Sequence, residues 1–306
     1  MNLFHKKDQY QGYNIYSMKK YVDKKRIIFT TIIVILIIIT LGFIMYYSVD
    51  TIIRLKKSKK FAEQLMEYSK QQEEVKKQEE ERKSKIPKLT DSGKKNMESI
   101  YKCDTKRVFL TFDDGPSVNT ADVLDILKEK EVKATFFVLG TQVERMPEIV
   151  KRAYQEGHYI ANHGHSHKYS KIYSSPEMVL EEYNQCNLAI AKAIEIPEYN
   201  SHLFRFPGGS MGGKYANLKS QAKTLLEQND ILYIDWNALT GDSEKNNPSE
   251  EYLMENLQKT TQNKNSIVIL MHDAQAKRVT VDFLPKVIAF FQQQEYQFDN
   301  FYSIIK

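Results

Sequence analysis

In the run Thr111-Phe112-Asp113-Asp114-Gly115-Pro116, two adjacent carboxylates close an apolar stretch (Val108, Phe109, Leu110), and Gly-Pro stops it at once. Successive strand residues point to opposite faces, but a turn at the strand end can swing both acids toward one cleft. There one acid can hold a metal ion while the other acts as a base. A second run, Asn162-His163-Gly164-His165-Ser166-His167, supplies imidazoles. A three-residue spacer lets His163 and His167 meet one ion, on a helix or a tight loop; His165, two positions on from His163, points elsewhere. With one carboxylate they make a two-His-one-carboxylate set that leaves positions open for water. Alone, the run reads equally well as three surface histidines in a polar loop. The acid pair ending another strand tips the balance toward a metal site.

Three further segments end apolar runs with residues able to do chemistry. Arg205-Phe206-Pro207-Gly208-Gly209 combines an arginine that can keep a carboxylate ionised with a turn whose exposed backbone N–H groups can hold an oxyanion. Taken alone it is an ordinary turn. Asp235-Trp236-Asn237, followed by Gly241-Asp242, carries the only tryptophan of the chain; Trp236 is either plain core or the flat wall of a sugar or acyl pocket. Ile267-Val268-Ile269-Leu270-Met271-His272-Asp273 reads as a buried strand ending in a histidine that can serve as a general acid near neutral pH, or as a capping histidine. His158 and His202 have no such partners and read as structural.

These residues need a scaffold that brings strand ends together. From about residue 101, short apolar runs alternate with helical patterns. The strands are predicted at 108–112, 135–139, 159–161, 203–206, 231–236 and 267–271. The helices are predicted at 120–130, 143–156, 178–194, 216–228, 250–260 and 281–293. That alternation indicates an α/β fold with parallel strands, and the chemical residues fall at strand C-terminal ends, the active face of α/β barrels.

The N-terminal third is different in kind. Residues 1–98 hold 21 Lys/Arg against 12 Asp/Glu, and residues 99–306 hold 23 against 27. The basic excess therefore lies outside the presumed globular part, which shows no basic, aromatic-interleaved patch for nucleic acid. Residues 27–47 are uncharged and strongly apolar. As a helix they span about 31 Å, enough for a bilayer core. The run is longer than the apolar core of a signal peptide, and no small-x-small cleavage site follows, so an uncleaved signal anchor is expected. Lys24-Lys25-Arg26 on one side and Arg54, Lys56, Lys57, Lys59 and Lys60 on the other nearly balance the positive-inside rule; the closer N-terminal cluster favours N-in, C-out. The expected organisation is a basic tail at 1–26, a transmembrane anchor at 27–47, a charged stalk at 48–98 ending near Ile86-Pro87, and a catalytic domain at 99–306. Cys103 and Cys186 are too few for a disulfide scaffold; they read as two buried free thiols, with pairing outside the cell as the alternative.

The five motifs occur in the order found in the polysaccharide deacetylase family (the NodB-homology domain of carbohydrate esterase family 4), which residues 106–305 resemble. The resemblance implies a distorted (β/α) barrel of about seven strands. It implies that Asp113 is the general base, that Asp114, His163 and His167 hold a divalent ion (zinc, with cobalt as an alternative), and that Arg205 positions the base. It further implies that the Gly208 N–H faces the oxyanion, that Trp236 and Leu270 receive the acetyl methyl, and that Asp242 orients His272, the histidine that protonates the leaving amine. Two positions depart from the family pattern. Gly164 stands where Ser or Thr is usual, so a loop hydrogen bond is lost unless His165 or Ser166 replaces it. Gly208 stands where a bulky aromatic is usual, which predicts a more open groove.

The expected protein is a membrane-tethered, extracellular, metal-dependent deacetylase of an N-acetylated cell-envelope glycan, peptidoglycan first. The alternatives are a non-catalytic glycan-binding protein on the same fold, whose signature would be a lost ligand or base, and an O-acetyl esterase acting on xylan or another polymer.

Overall fold

The computed structural model of the chain describes residues 15–305, which divide at Lys77/Gln78 into two compact units. The first element is a single helix, α1 (Ile15–Ser84). Within it 27–47 is helical throughout, and its large apolar side chains are exposed. A window of this helix reaches a mean hydropathy of 3.1, long and apolar enough to cross a membrane. The charged stretch that follows stays helical to Ser84, braced by pairs one turn apart such as Lys83–Glu79 (3.1 Å) and Lys85–Glu81 (3.5 Å). Within the second unit α2 (Asp91–Glu98), capped by Thr90, buries Met97.

The second unit continues with β1 (Arg107–Asp113), α3 (Val118–Glu129), β2 (Thr135–Val138), α4 (Gly140–Arg145), α5 (Pro147–Gln155) and β3 (Tyr159–Asn162). Next come α6 (Tyr169–Ile172), α7 (Pro176–Ala193), β4 (Leu203–Phe204), α8 (Ala216–Gln228), β5 (Leu232–Tyr233) and β6 (Ala238–Leu239). It closes with α9 (Glu250–Thr261), β7 (Ser266–His272), α10 (Arg278–Gln293) and β8 (Gln297–Asp299). The helix predicted at 143–156 is two helices, because Pro147 has no N–H to continue the first and suits the opening turn of the second. The strand predicted at 231–236 shrinks to β5 (Leu232–Tyr233), and a further strand not predicted from the sequence, β6 (Ala238–Leu239), follows Asp235-Trp236-Asn237.

All strand pairings are parallel, in the order β5-β4-β3-β2-β1-β7-β6. Seven strands lie on this path. An eighth, β8, pairs with the first half of β1 (Arg107↔Gln297 to Phe109↔Asp299), while β2 pairs with its second half (Thr111↔Thr135 to Asp113↔Phe137). No pairing joins the outer strands β5 and β6, so the sheet curls into a (β/α) half-barrel without closing.

Alternation along the strands sorts side chains between two cores. Val108, Leu110 and Phe112 of β1 face the helices, in one cluster with Leu124 and Leu127 of α3 and Leu284 and Val287 of α10. Phe109 faces the interior with Phe137, Tyr159, Ala161, Leu203, Val268 and Phe301. The inward rows, continued by steps of two, arrive at Thr111 and Asp113 on β1, at His163 and Arg205 just past β3 and β4, and at Leu270 and His272 on β7. The barrel interior is packed below and chemical at its C-terminal rim.

Candidate active site

β1 and β7 run in register over seven residues, with Asp113 opposite His272 and Thr111 opposite Leu270. Asp113 is buried, and its Oδ1 accepts a hydrogen bond from Arg205 at 2.8 Å. The Arg205 side chain is fully buried and its donors are engaged. Nη1 also donates to Thr111 Oγ1 (2.7 Å), Nε to the Ile234 carbonyl (3.2 Å) and Nη2 to the Asp235 carbonyl (3.1 Å). Its guanidinium lies 3.9 Å from the Phe137 ring centroid. Burial raises Asp113 above the usual carboxylate range, against the opposing charges of Arg205 and His272.

Asp114 turns away from the strand path. Its φ of 73° lies in the left-handed region, a conformation costing a non-glycine residue on the order of 1–2 kcal/mol. The turn brings its carboxylate beside the histidine loop: Oδ1 is 3.5 Å from His163 Nε2 and 3.4 Å from His167 Nε2. One ligand atom from each of Asp114, His163 and His167 lies within 4.8 Å of the others. Asp114 Oδ1 is buried without a hydrogen-bond partner among the described residues, an expensive state for a carboxylate oxygen that a cation would relieve. His163 Nδ1 is bonded to the Arg205 carbonyl at 2.8 Å, which fixes the tautomer that leaves the Nε2 lone pair toward Asp114. Burial lowers His163 to about 3, keeping it neutral as a ligand must be. These residues fit a divalent ion. His165 is turned out of the set, with Nε2 3.2 Å from Glu144 Oε1.

The loop carrying the histidines is anchored by a residue that the motif reading missed. Glu182 of α7 is fully buried. Its carboxylate accepts from the backbone N–H of His165 (2.9 Å) and of Ser166 (2.6 Å), from Ser166 Oγ (2.9 Å) and from Lys171 Nζ (2.7 Å). Ser166 therefore takes a tether of the kind that Gly164 cannot supply. The signal was present in the sequence: Val179, Tyr183, Cys186 and Ile190 form the buried stripe of α7, and Glu182 is a charge placed within that stripe.

At the other edge, Asp242 receives the His272 backbone N–H (2.7 Å) and the Thr280 hydroxyl (2.7 Å) on Oδ2, and lies 3.0 Å from His272 Nδ1 through Oδ1. Burial pulls His272 down, but the Asp242 bond and charge outweigh it, with Asp113 and Asp114 adding, and leave it at about 9. His272 is thus protonated at neutral pH, beside Asp113 at the ends of the paired strands β7 and β1.

Gly208 and Gly209 both have positive φ, 73° and 80°. Their turn is pinned by Asp235, which accepts from Ser210 N–H (2.8 Å) and Oγ (2.6 Å), and by Lys219 Nζ donating to the Gly209 carbonyl (2.6 Å). Trp236 packs over Gly209, within 3.3 Å of where a Cβ would stand. Leu270 is buried on the inward face of β7. The space beside Gly208, expected to be open, is occupied by the Tyr169 phenol. Cys103 and Cys186 are unpaired, and only Cys186 is buried; Cys103 is half-buried, contrary to expectation.

A family model described as polysaccharide deacetylase matches residues 101–225. A peptidoglycan-N-acetylglucosamine deacetylase of Bacillus cereus is 31% identical over 203 residues, 65% of this chain and 71% of that protein. Among solved structures, the catalytic domain of peptidoglycan N-acetylglucosamine deacetylase from Eubacterium rectale aligns with a TM-score of 0.59 at 31% identity, covering 64% of this chain and 88% of its own. A Streptococcus mutans CE4 esterase aligns with a TM-score of 0.60 at 29% identity, covering 70% and 92%.

Proposed function

Since this chain belongs to the polysaccharide deacetylase family, we propose that it is a membrane-anchored, metal-dependent enzyme that removes N-acetyl groups from a cell-envelope glycan, with peptidoglycan N-acetylglucosamine as substrate. The observation that carries this reading is the buried, unpartnered Asp114 Oδ1 between two histidines, flanked by an arginine-held Asp113 and an Asp242-held His272.

Asp114, His163 and His167 would hold the ion, zinc in the first instance and cobalt as the alternative. When bound, it supplies Lewis acidity, making water a better nucleophile and drawing charge from a carbonyl oxygen. Asp113 takes a proton from the attacking water, its carboxylate held in place by Arg205. The Gly208 N–H donates to the acetamide oxygen as negative charge builds there. His272 gives its proton to the departing nitrogen. The acetyl methyl rests against Trp236 and Leu270. The products are acetate and a free amine, with no covalent enzyme intermediate.

The protonated His272 favours an amide over an ester, because an amine leaves far less readily than an alcohol unless it is protonated. A degenerate, glycan-binding domain is disfavoured because no ligand, base or acid of the motif set is missing from the sequence. The anchor is assigned to 27–47, with the N-terminal tail inside and the catalytic unit outside, where mature wall polymer is within reach.

Acetate release from peptidoglycan, chitooligosaccharide and acetylxylan, measured with and without a strong chelator, tests the assignment. Loss of activity on the N-acetylated substrates with chelator and its return with zinc or cobalt is the expected result. Activity confined to acetylxylan, or untouched by chelator, overturns it.

A further inference from the structure

Tyr169 opens α6 two residues after His167. Its ring meets His167 edge-on at 5.5 Å and Tyr173 at 5.6 Å. The two tyrosines have opposite fates. Tyr173 is 3% exposed and its hydroxyl donates to the Pro207 carbonyl at 2.6 Å, so it pins the loop of α6 to the loop of Gly208. Tyr169 is 40% exposed, and no hydrogen bond engages its hydroxyl among the described residues. Its phenol end lies against Gly208: a Cβ built there would stand 2.6 Å from Tyr169 Oη and 3.3 Å from Cζ. Any side chain at 208 would push the phenol from this position, and the positive φ at 208 disfavours side chains independently. Tyr173 backs the ring, so the phenol is a preset group. It stands between a histidine of the candidate metal set and the backbone N–H proposed to face the acetamide oxygen, with a donor that the protein does not use.

We propose that Tyr169 is a substrate-contacting, specificity-determining residue: its hydroxyl donates a hydrogen bond to the N-acetylated sugar seated over Asp114, His163 and His167, and its ring walls the groove beside Gly208. This rests on the reading of the site as a glycan deacetylase. The side chain comes from the loop after β3 and fills space at the loop after β4, so the groove on this flank is shaped by a residue outside the five motifs. Wall and donor together select for a pyranose that offers an acceptor on that side.

The test compares wild type, Tyr169→Phe and Tyr169→Ala on an N-acetylated chitotetraose, with KM and kcat from acetate release, zinc affinity from competition with a chromophoric chelator, and thermal midpoint. Tyr169→Phe keeps the ring and its packing. Its expected signature is a KM raised about tenfold, the worth of one hydrogen bond, with kcat within about twofold and zinc affinity unchanged. Tyr169→Ala, losing wall and donor, should raise KM further. Tyr169→Phe kinetics equal to wild type in an active enzyme overturn the assignment while leaving the deacetylase reading intact. So does a loss of zinc affinity in Tyr169→Phe, which would make Tyr169 a positioning residue for His167. A wild-type protein that neither binds nor deacetylates chitotetraose or peptidoglycan overturns the deacetylase reading, and this assignment with it.

Discussion

Asp113 and Asp114 share a peptide bond but not an environment. Asp113 continues the inward row of β1 and meets a fully buried arginine; Asp114 leaves the strand through a left-handed turn and meets two histidines. Substitution should therefore separate their roles. Asp113→Asn is expected to keep zinc affinity within a few fold and to lower kcat by about 10²–10⁴, the range for a general base; near-wild-type turnover would remove the base assignment. At the opposite edge, Asp242 sets the state of His272. A general acid must be protonated, so activity falls as pH rises past the His272 value of about 9; the charge of a bound cation moves that limb lower. Asp242→Asn removes the largest interaction holding His272 up and leaves burial opposed only by the charges of Asp113 and Asp114. The alkaline limb of kcat/KM should move toward lower pH, and a limb that stays in place would exclude His272 as the acid.

Strand alternation places the chemistry at the scale of elements. Because the central strands β1, β2, β3 and β7 are parallel and buried on both faces, one row packs against helices and the other fills the interior, and the same row that carries Phe109, Tyr159 and Val268 below carries Asp113, His163 and His272 at the rim. The histidine loop, by contrast, has no strand to define it: His167 has a φ of 55° and Gly164 of 85°. Its shape depends on the Glu182 carboxylate, reached from α7. Glu182→Ala should lower zinc affinity by about 10–100-fold, as expected for a residue that orients ligands, and zinc titration of the folded variant measures it. Glu182→Gln should recover part of that loss, since its amide oxygen still accepts from the two loop N–H groups while its amide nitrogen faces Lys171. Affinity equal to wild type in both variants would show that the loop holds itself.

For the whole molecule the question is where the catalytic unit works. The long helix carries an apolar segment with no protein cover among the described residues, and the balance of charge inverts along the chain, from +9 over residues 1–98 to −4 over the remainder. A basic N-terminal flank followed by an apolar span is the pattern on which the proposed anchor rests. With an alkaline phosphatase reporter fused at the C-terminus, activity is expected only if that end lies outside the membrane. A silent reporter together with a cytoplasmic one that works would reverse the proposed orientation and put mature wall polymer beyond reach.

The sequence by itself determined the alternation of strands and helices, the candidate ligands and proton-transfer groups, and the apolar span, because each is written in local spacing: period two in strands, a three-residue spacer between histidines, an uncharged run. It missed the break at Pro147, where backbone hydrogen bonding ends inside a continuous helical pattern, and it overran β5, which covers only Leu232–Tyr233. Long-range contacts were decided only by the tertiary structure. Glu182 lies 16 residues from Ser166 in the chain and closes on the histidine loop through it; Tyr169 and Gly208 fit one another across two loops. In each case the energy lies in satisfying a buried polar group or filling a shared volume, and neither is visible until distant segments meet.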